Sequence, residues 1–375
     1  MSTLKVAILH PTFLMRGGAE KVVEILAGIY PEADIYGLFV DPKMLSPLLQ
    51  SRGVRSSMLN AFPFSSRLHR HLLPFYPWAV ESLDLSKYDL VISSCGPAVM
   101  GCNIRQDATH ISYCHSPERT WWDLYAESQL RLPPLFRHPF VMAAAGVRTW
   151  EFCAMQRVDH IISNSNYIAD RVYKYFRRES VVIHPPVSMS SRPALPPAGD
   201  YYLTLGRLGK QKRVDILIGA CNQLGRKLVI AGTGREERYL KSIAGPTVEF
   251  LGFVPDEAVP ELYANCRAFL FAAIEDFGIA PVEAQSYGRP VVAYGHSGSL
   301  ETVRVNDPEG RPDTGVFFPS QTVESLTDAL LRFEKIEGQF NPQIIQEHAR
   351  KFDSRTFVDA FTAFVDNATK KGTHI

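Results

Sequence analysis

Glu275 and Glu283 lie in the run Glu-Asp-Phe-Gly-Ile-Ala-Pro-Val-Glu, directly after the apolar stretch 268–273. If that stretch is a strand, Glu275 stands at its carboxyl end, where open α/β sheets bind their ligands. Pro281 suits the first turn of a following helix, which puts Glu283 within the first two turns, at the same end of the sheet. Carboxylates accept hydrogen bonds from hydroxyls, and free amides at a helix N-terminus, here those of Gly278 and Ile279, favour phosphate. Together they suit a sugar or ribose joined to phosphate. Taken alone, Glu283 could equally complement the helix dipole.

Three other places carry similar chemistry. Residues 205–213, Leu-Gly-Arg-Leu-Gly-Lys-Gln-Lys-Arg, crowd cations into a strand-to-helix loop. Arg207 could fork onto two oxygens of a diphosphate, and Lys212 could add a point charge; the other reading is a solvated basic turn. Gly17 and Gly18 open a helix after the first apolar run, where backbone can pass close to a ligand. Gly232 sits in Ala-Gly-Thr-Gly at 231–234. Neither glycine turn has the GxGxxG spacing, since Glu237 occupies the third glycine's place, and that argues against a nicotinamide dehydrogenase. His115 follows the apolar run 110–114, a position at which a lone histidine is either structural or part of a site.

The elements that must hold these residues are short, unalternating and β-branched, as parallel strands covered on both faces are. The expected strands are 4–9, 90–94, 110–114, 160–163 and 181–184, then 201–205, 227–231, 248–251, 268–272, 290–294 and 315–318. Amphipathic helices are expected between them at 18–29, 167–176, 214–224 and 323–333. This is an α/β pattern. Residues 185–199 hold five prolines and no period, so they read as a linker. The expected domains are 1–188 and 189–352, with a helix in 353–375 that packs back on the first.

Composition narrows the function classes. The chain has 375 residues, enough for two domains, and a net charge of +1, which argues against a nucleic-acid partner. The six cysteines form no CxxC and no metal-finger spacing, so buried free thiols are expected. The apolar run 140–147 is far shorter than the roughly 20 residues a bilayer span needs. A cytoplasmic protein, either free or peripheral on the inner face of the cytoplasmic membrane, is the expectation.

As a set, these motifs resemble family 4 of the retaining glycosyltransferases. Glu275 and Glu283 match the family's E-x7-E signature, and the segment 275–303 looks like its donor-binding segment. Gly-Gly-Ala-Glu at 17–20, Arg207 with Lys212, and Ala-Gly-Thr-Gly at 231–234 follow in the expected order. The likeness is broken mostly at 43–80 and 120–150. It implies the GT-B fold: two Rossmann-like domains with parallel sheets facing a central cleft. It also implies that Arg207 and Lys212 bind the donor diphosphate and steady the leaving group, and that Glu283 holds the nucleotide ribose. Glu275 and the backbone of Phe277, Gly278 and Ile279 would contact the sugar and a phosphate oxygen. Gly17 and Gly18 would close the cleft from the first domain, Gly232 would help bind the donor, and His115, in Tyr-Cys-His-Ser-Pro, would lie near the sugar. Catalysis would need no metal cofactor, in keeping with the lack of any Asp-x-Asp. Retention would proceed by same-face attack, with the leaving phosphate helping to deprotonate the acceptor.

The wording of the opening segment 8–24 and of the segment 275–285 most resembles bacterial mannosyltransferases of surface-polysaccharide assembly. GDP-mannose is therefore the expected donor and a polyprenyl-diphosphate-linked glycan the expected acceptor. The alternatives are a UDP-sugar donor or a nucleotide-sugar epimerase of the same fold. Residues 42–80 and 128–150 contain no Asp or Glu and interleave Arg and His with Phe, Tyr and Trp. Such stretches fit an anionic membrane surface, or else core aromatics beneath a basic rim.

Overall fold

The computed structural model describes residues 4–96, 98–195 and 199–371. It divides into two compact units, one of Met1–Pro185 with Phe357–Ile375 and one of Pro186–Thr356. The first unit holds seven strands: β1 (Val6–Phe13), β2 (Asp34–Val40), β3 (Val54–Ser56), β4 (Leu90–Cys95), β5 (Thr109–Cys114), β6 (His160–Ser163) and β7 (Val181–Val182). Their order is β3-β2-β1-β4-β5-β6-β7, and every pair is parallel. Its helices begin with α1 (Gly18–Ile29), α2 (Pro47–Arg52), α3 (Ser65–Leu68) and α4 (Tyr76–Glu81). They continue with α5 (Tyr125–Arg131), α6 (Pro134–Gln156) and α7 (Asn166–Phe176).

The second unit holds β8 (Tyr202–Leu205), β9 (Leu228–Ala231), β10 (Val248–Gly252), β11 (Ala268–Phe271), β12 (Val291–Tyr294) and β13 (Gly315–Phe318). They are ordered β10-β9-β8-β11-β12-β13 and again all parallel. Around them lie α8 (Val214–Leu224), α9 (Glu237–Ile243), α10 (Val259–Asn265), α11 (Ile279–Ser286), α12 (Ser299–Thr302), α13 (Val323–Ile336) and α14 (Pro342–Ala349). In both sheets the strand order reverses once, beside β1 and beside β8, which is the Rossmann arrangement.

Alternation along β1 explains why both sheet faces are covered. Ala7 and Leu9 enter one core with Val91, Val172 and Phe176. Val6 and Ile8 enter the other with Val22, Leu26 and Ile92. That second core is completed by Phe357, Phe361, Val365 and Ala368, a helical stripe on α15 (Ser354–Lys371).

β1 runs four residues past the expected end at Leu9. Its pairing with β4 stops at Leu9↔Ser93, while pairing with β2 continues to Phe13↔Val40. Pro11 therefore falls where one side of the strand is already an edge, and its missing N–H breaks no ladder there. β2 and β3 lie where no strand was expected. Gly37 interrupts the pattern of β2, yet a Cβ there would lie 2.8 Å from side-chain atoms of Phe13 and Val40, so packing demands the glycine.

The proline-rich stretch is not a free linker where it is described; residues 196–198 lie outside the described residues. Val187 N–H donates to Phe352 O at 2.9 Å, Gln343 Nε2 donates to Ala194 O at 3.0 Å, and both Val187 and Ala194 are buried. Prolines lack an N–H to leave unpaired, so such a segment can lie flat on a packed surface. The cysteine expectation needs one correction, since Cys153 is exposed on the outer face of α6 while the other five thiols are buried.

Phe361 is fully buried among strands of the first unit. Phe361→Ala should destabilise that unit by about 3–5 kcal/mol through lost burial and a cavity. A urea melt followed in the first unit should show an earlier midpoint; an unchanged midpoint would mean α15 adds nothing to that core.

Candidate active site

The reversal of strand order in the second sheet separates the loops after β8 and β11, and ligands of open α/β sheets bind at such a point. A shallow recess opens there, lined by Gly206, Arg207, Lys212, Ala231, Ala272 and Ala273 among others. The loop after β8 is held by backbone: Gly206 N–H donates to Ala231 O and Leu208 N–H to Thr233 O, each at 2.9 Å. Gly232 backs this loop. Its φ is +130°, and a Cβ would meet Gly206 O at 2.0 Å. Gly234 does the same, since a Cβ there would lie 2.1 Å from Leu208 O.

Arg207 is exposed at the mouth of the recess and makes no ion pair among the described residues. Lys212 forms an ion pair with Glu275, across the gap between the loops after β8 and β11. Burial and then the Arg207 charge push the Lys212 amine down to about 8. The recess thus carries one guanidinium without an acidic partner and one ammonium held by an acid that an anionic ligand could displace.

Gly278 caps α11 in the left-handed region with φ +91° and offers no side-chain cap, which leaves first-turn amides open. The preceding turn is locked by Gly298, whose N–H donates to Glu275 O at 3.1 Å. A Cβ on Gly298 would lie 2.2 Å from Phe277 O. The Phe277 side chain is buried against Phe352 and Val282, so only its backbone is placed for a ligand. Glu283, one turn into α11, accepts from the Tyr263 hydroxyl at 3.1 Å, and Tyr263 stacks on Tyr287. The two glutamates therefore have separate partners. Tyr263 and Gly298 were not read as site residues from sequence; the second glycine of Gly-His-Ser-Gly at 295–298 was the available signal for Gly298.

The first sheet reverses order between β1 and β4, and the remaining candidate residues gather there. Gly17 precedes α1 in extended conformation and caps it without a side chain, so its first amides are open. Beyond the end of the β1–β4 ladder, His10 Nδ1 lies 3.2 Å from Ser94 O and 3.2 Å from Ser94 Oγ. Ser94 Oγ lies 2.8 Å from His115 Nε2. A carbonyl can only accept, so His10 Nδ1 donates there, and the Ser94 hydroxyl and His115 Nε2 share the next hydrogen bond. Glu20 of α1 completes the line, 3.7 Å from His10 Nε2. Burial, then the His10 charge, pushes His115 down to about 3, so it is neutral at ordinary pH.

The chain after His115 is clamped. Arg171 of α7 donates to Ser116 Oγ at 2.9 Å and Pro117 O at 3.3 Å, and pairs with Asp123. Trp122 Nε1 donates to the buried Glu151 carboxylate at 2.7 Å, and burial raises that acid to about 8. None of these partners was expected. Their signal was the charged and aromatic run Glu-Arg-Thr-Trp-Trp-Asp at 118–123.

Two Rossmann-like units are the architecture of the GT-B class, and the comparisons with known proteins show that the chain is a glycosyltransferase of that class. A model described as Glycosyltransferase Family 4 matches residues 16–191, and one described as Glycosyl transferases group 1 matches residues 190–352. Between them they span residues 16–352, and the chain belongs to glycosyltransferase family 4. It is 24% identical over 371 residues to the alpha-1,3/1,6-mannosyltransferase ALG2 of Saccharomyces cerevisiae, covering 80% of this chain and 71% of that protein. It is 29% identical over 184 residues to the putative colanic acid biosynthesis glycosyltransferase WcaL of Escherichia coli, covering 42% of this chain and 45% of that one. Among solved structures it resembles Anabaena Alr3699/HepE in complex with UDP, with TM-score 0.67, 19% identity and coverage of 97% and 100%.

Two pH effects follow. The affinity for nucleoside diphosphate should fall as pH rises through about 8, because the lowered Lys212 amine loses its charge there. Calorimetry from pH 7 to 9.5 should show this in the wild type and not in Lys212→Met; an identical slope in both would dissociate Lys212 from the site. His115 gains its proton only near 3. Turnover should therefore show no acid limb near 6.5 that disappears in His115→Gln. If such a limb is found, the neutral state assigned to His115 is wrong.

Proposed function

We propose that this glycosyltransferase moves mannose, with retention, from GDP-mannose to a polyprenyl-diphosphate-linked glycan in polysaccharide biosynthesis. The observation that carries the donor is the likeness to an alpha-mannosyltransferase over 80% of the chain. The acceptor rests on the likeness to WcaL and on the family resemblance. A lipid-linked acceptor implies work at the inner face of the cytoplasmic membrane. Among the described residues no helix is long and apolar enough to cross a membrane, so attachment would be peripheral.

As the sugar–phosphate bond breaks, negative charge grows on the nucleoside diphosphate and the sugar takes on oxocarbenium character. Arg207, Lys212 and the first amides of α11 supply fixed positive potential for that charge, which makes a divalent ion unnecessary. Glu275 takes a sugar hydroxyl once the ligand phosphate has drawn Lys212 away. Glu283, oriented by Tyr263, takes the ribose. No carboxylate serves as a covalent nucleophile; the leaving phosphate receives the acceptor proton as the acceptor attacks from the same face.

Calorimetry against GDP-mannose, UDP-glucose and UDP-N-acetylglucosamine tests the donor, and GDP-mannose should bind at least about tenfold more tightly, or 1.4 kcal/mol. Tighter binding of either UDP-sugar would overturn the mannose assignment. Release of nucleoside diphosphate should require acceptor; a sugar nucleotide altered without any acceptor would point to an epimerase. Exhaustive chelation should leave turnover intact, whereas loss restored by magnesium or manganese would reject the metal-free mechanism.

A further inference from the structure

The helix α6 has an unusual outer face. Its inner side buries Ala144, Val147, Glu151, Ala154 and Met155. Its outer side exposes Leu135, Phe136, Met142, Ala145, Thr149 and Phe152, with Leu135 at 80% and Met142 at 77%. A surface helix ordinarily turns charged residues to water there. Arg148 is the one formally charged residue between His138 and Glu151, and it is spent stacking over Tyr125, 4.7 Å from the ring centroid.

The other acid-free stretch, 42–80, lies beside this helix. Leu73 packs into the same cluster as Trp121, Ala144 and Val147, so residues 62–78 and α6 share an interior. On the outside that stretch exposes Phe62, Phe64, Phe75 and Trp78, with Phe64 at 70% and Trp78 at 55%. Tyr76, by contrast, is buried, so the stretch is neither wholly core nor wholly rim. Its cations differ as well. Arg52 is committed to the carbonyls of Tyr30 and Ala33, and Arg55 is paired with Asp34. Arg67 and Arg70 are exposed and make no ion pair among the described residues.

We propose that the outer face of α6 and the segment 62–78 form one docking surface for an anionic lipid bilayer, lying in its headgroup region. Charge complementarity selects this occupant. Unpaired arginines, exposed Phe and Trp, and no carboxylate from 42 to 80 or from 128 to 150 match a negative interface with an apolar floor. An apolar face made for another protein would carry no reason to exclude acids over both stretches. The helix α6 is tied to the loop after His115, because the buried Trp121, six residues beyond His115, packs against Phe140 of α6 with ring centroids 5.3 Å apart. Lipid contact would thus be made by the elements that support the loop after His115. The proposal deepens the lipid-linked acceptor reading, but docking itself does not depend on which sugar is transferred.

The test uses the whole protein with vesicles of phosphatidylcholine alone or mixed with phosphatidylglycerol, both free of polyprenyl lipid and donor. The wild type should sediment with the mixed vesicles at low salt and release as ionic strength shortens the Debye length to about 8 Å. Trp78 emission should shift to the blue on binding, and Trp78→Phe should reduce that shift. Met142→Glu, and separately Arg67→Glu with Arg70→Glu, should each weaken binding by about tenfold or more. Circular dichroism should remain that of the wild type, since all three side chains are exposed. GDP-mannose affinity should be unchanged in these variants, so failure of the donor reading stays distinguishable. A wild type that ignores anionic vesicles at low salt overturns the proposal. Binding that survives both variants also overturns it, by assigning the contact elsewhere. Dimerisation that Met142→Glu abolishes would show that a second copy covers this face, and would overturn it too.

Discussion

All strands in both sheets run in one direction, and that constraint decides where chemistry can occur. A parallel strand must be re-entered from the same end, so each connection crosses a face and all the carboxyl ends gather on one edge. Where the order reverses, beside β1 and again beside β8, successive connections cover opposite faces and their loops part. The gap needs no residue to carve it. It needs residues that tolerate its crowded walls, and these are the glycines at 232, 234 and 298, where another loop's backbone occupies the space of a Cβ.

The same gap puts charges under unusual conditions. Lys212 and Glu275 come from loops on opposite sides of the reversal in the second unit, and their ion pair spans it. A partly buried pair of this kind gives up hydration for a single Coulombic contact and is weak as a source of stability. It serves better as a held state, keeping a lysine near the recess and an acid aligned until a stronger anion arrives. Arg207, by contrast, is left without an acid, which costs little because it remains exposed. The first unit uses neutral groups for similar positioning. His10, Ser94 and His115 exchange hydrogen bonds where the β1–β4 ladder has ended, and a side chain takes up the Ser94 carbonyl.

The fold class was legible because strands buried on both faces leave short, β-branched apolar runs bounded by turns. β9, β11, β12 and β13 lie within a residue of their expected bounds for that reason. β2 was not legible, since Asp34 and Gly37 break its run, and the close approach that demands Gly37 is made by Phe13 from another strand. The candidate site divides in the same way. Glu275, Glu283, Arg207 and Lys212 stand out by type and by their place after apolar runs. The Lys212–Glu275 pair, the Tyr263 hydroxyl on Glu283 and the His10–Ser94–His115 line join residues distant in sequence. Each partner alone reads as an ordinary polar residue beside a strand, and only the strand order brings them together.

The two units carry different kinds of information. In the second, the residues lining the recess are fixed by backbone contacts on several sides, so a substitution there must satisfy steric and electrostatic demands at once. The stretches 42–80 and 128–150 of the first unit meet a looser requirement. Their buried residues, such as Leu59, Tyr76, Ala144 and Val147, must pack, while the exposed ones are limited only in charge and apolarity. A surface that meets a bilayer reads no shape, so it can drift in sequence while keeping Arg and aromatics and avoiding acids. A recess that meets a diphosphate reads distances, and cannot.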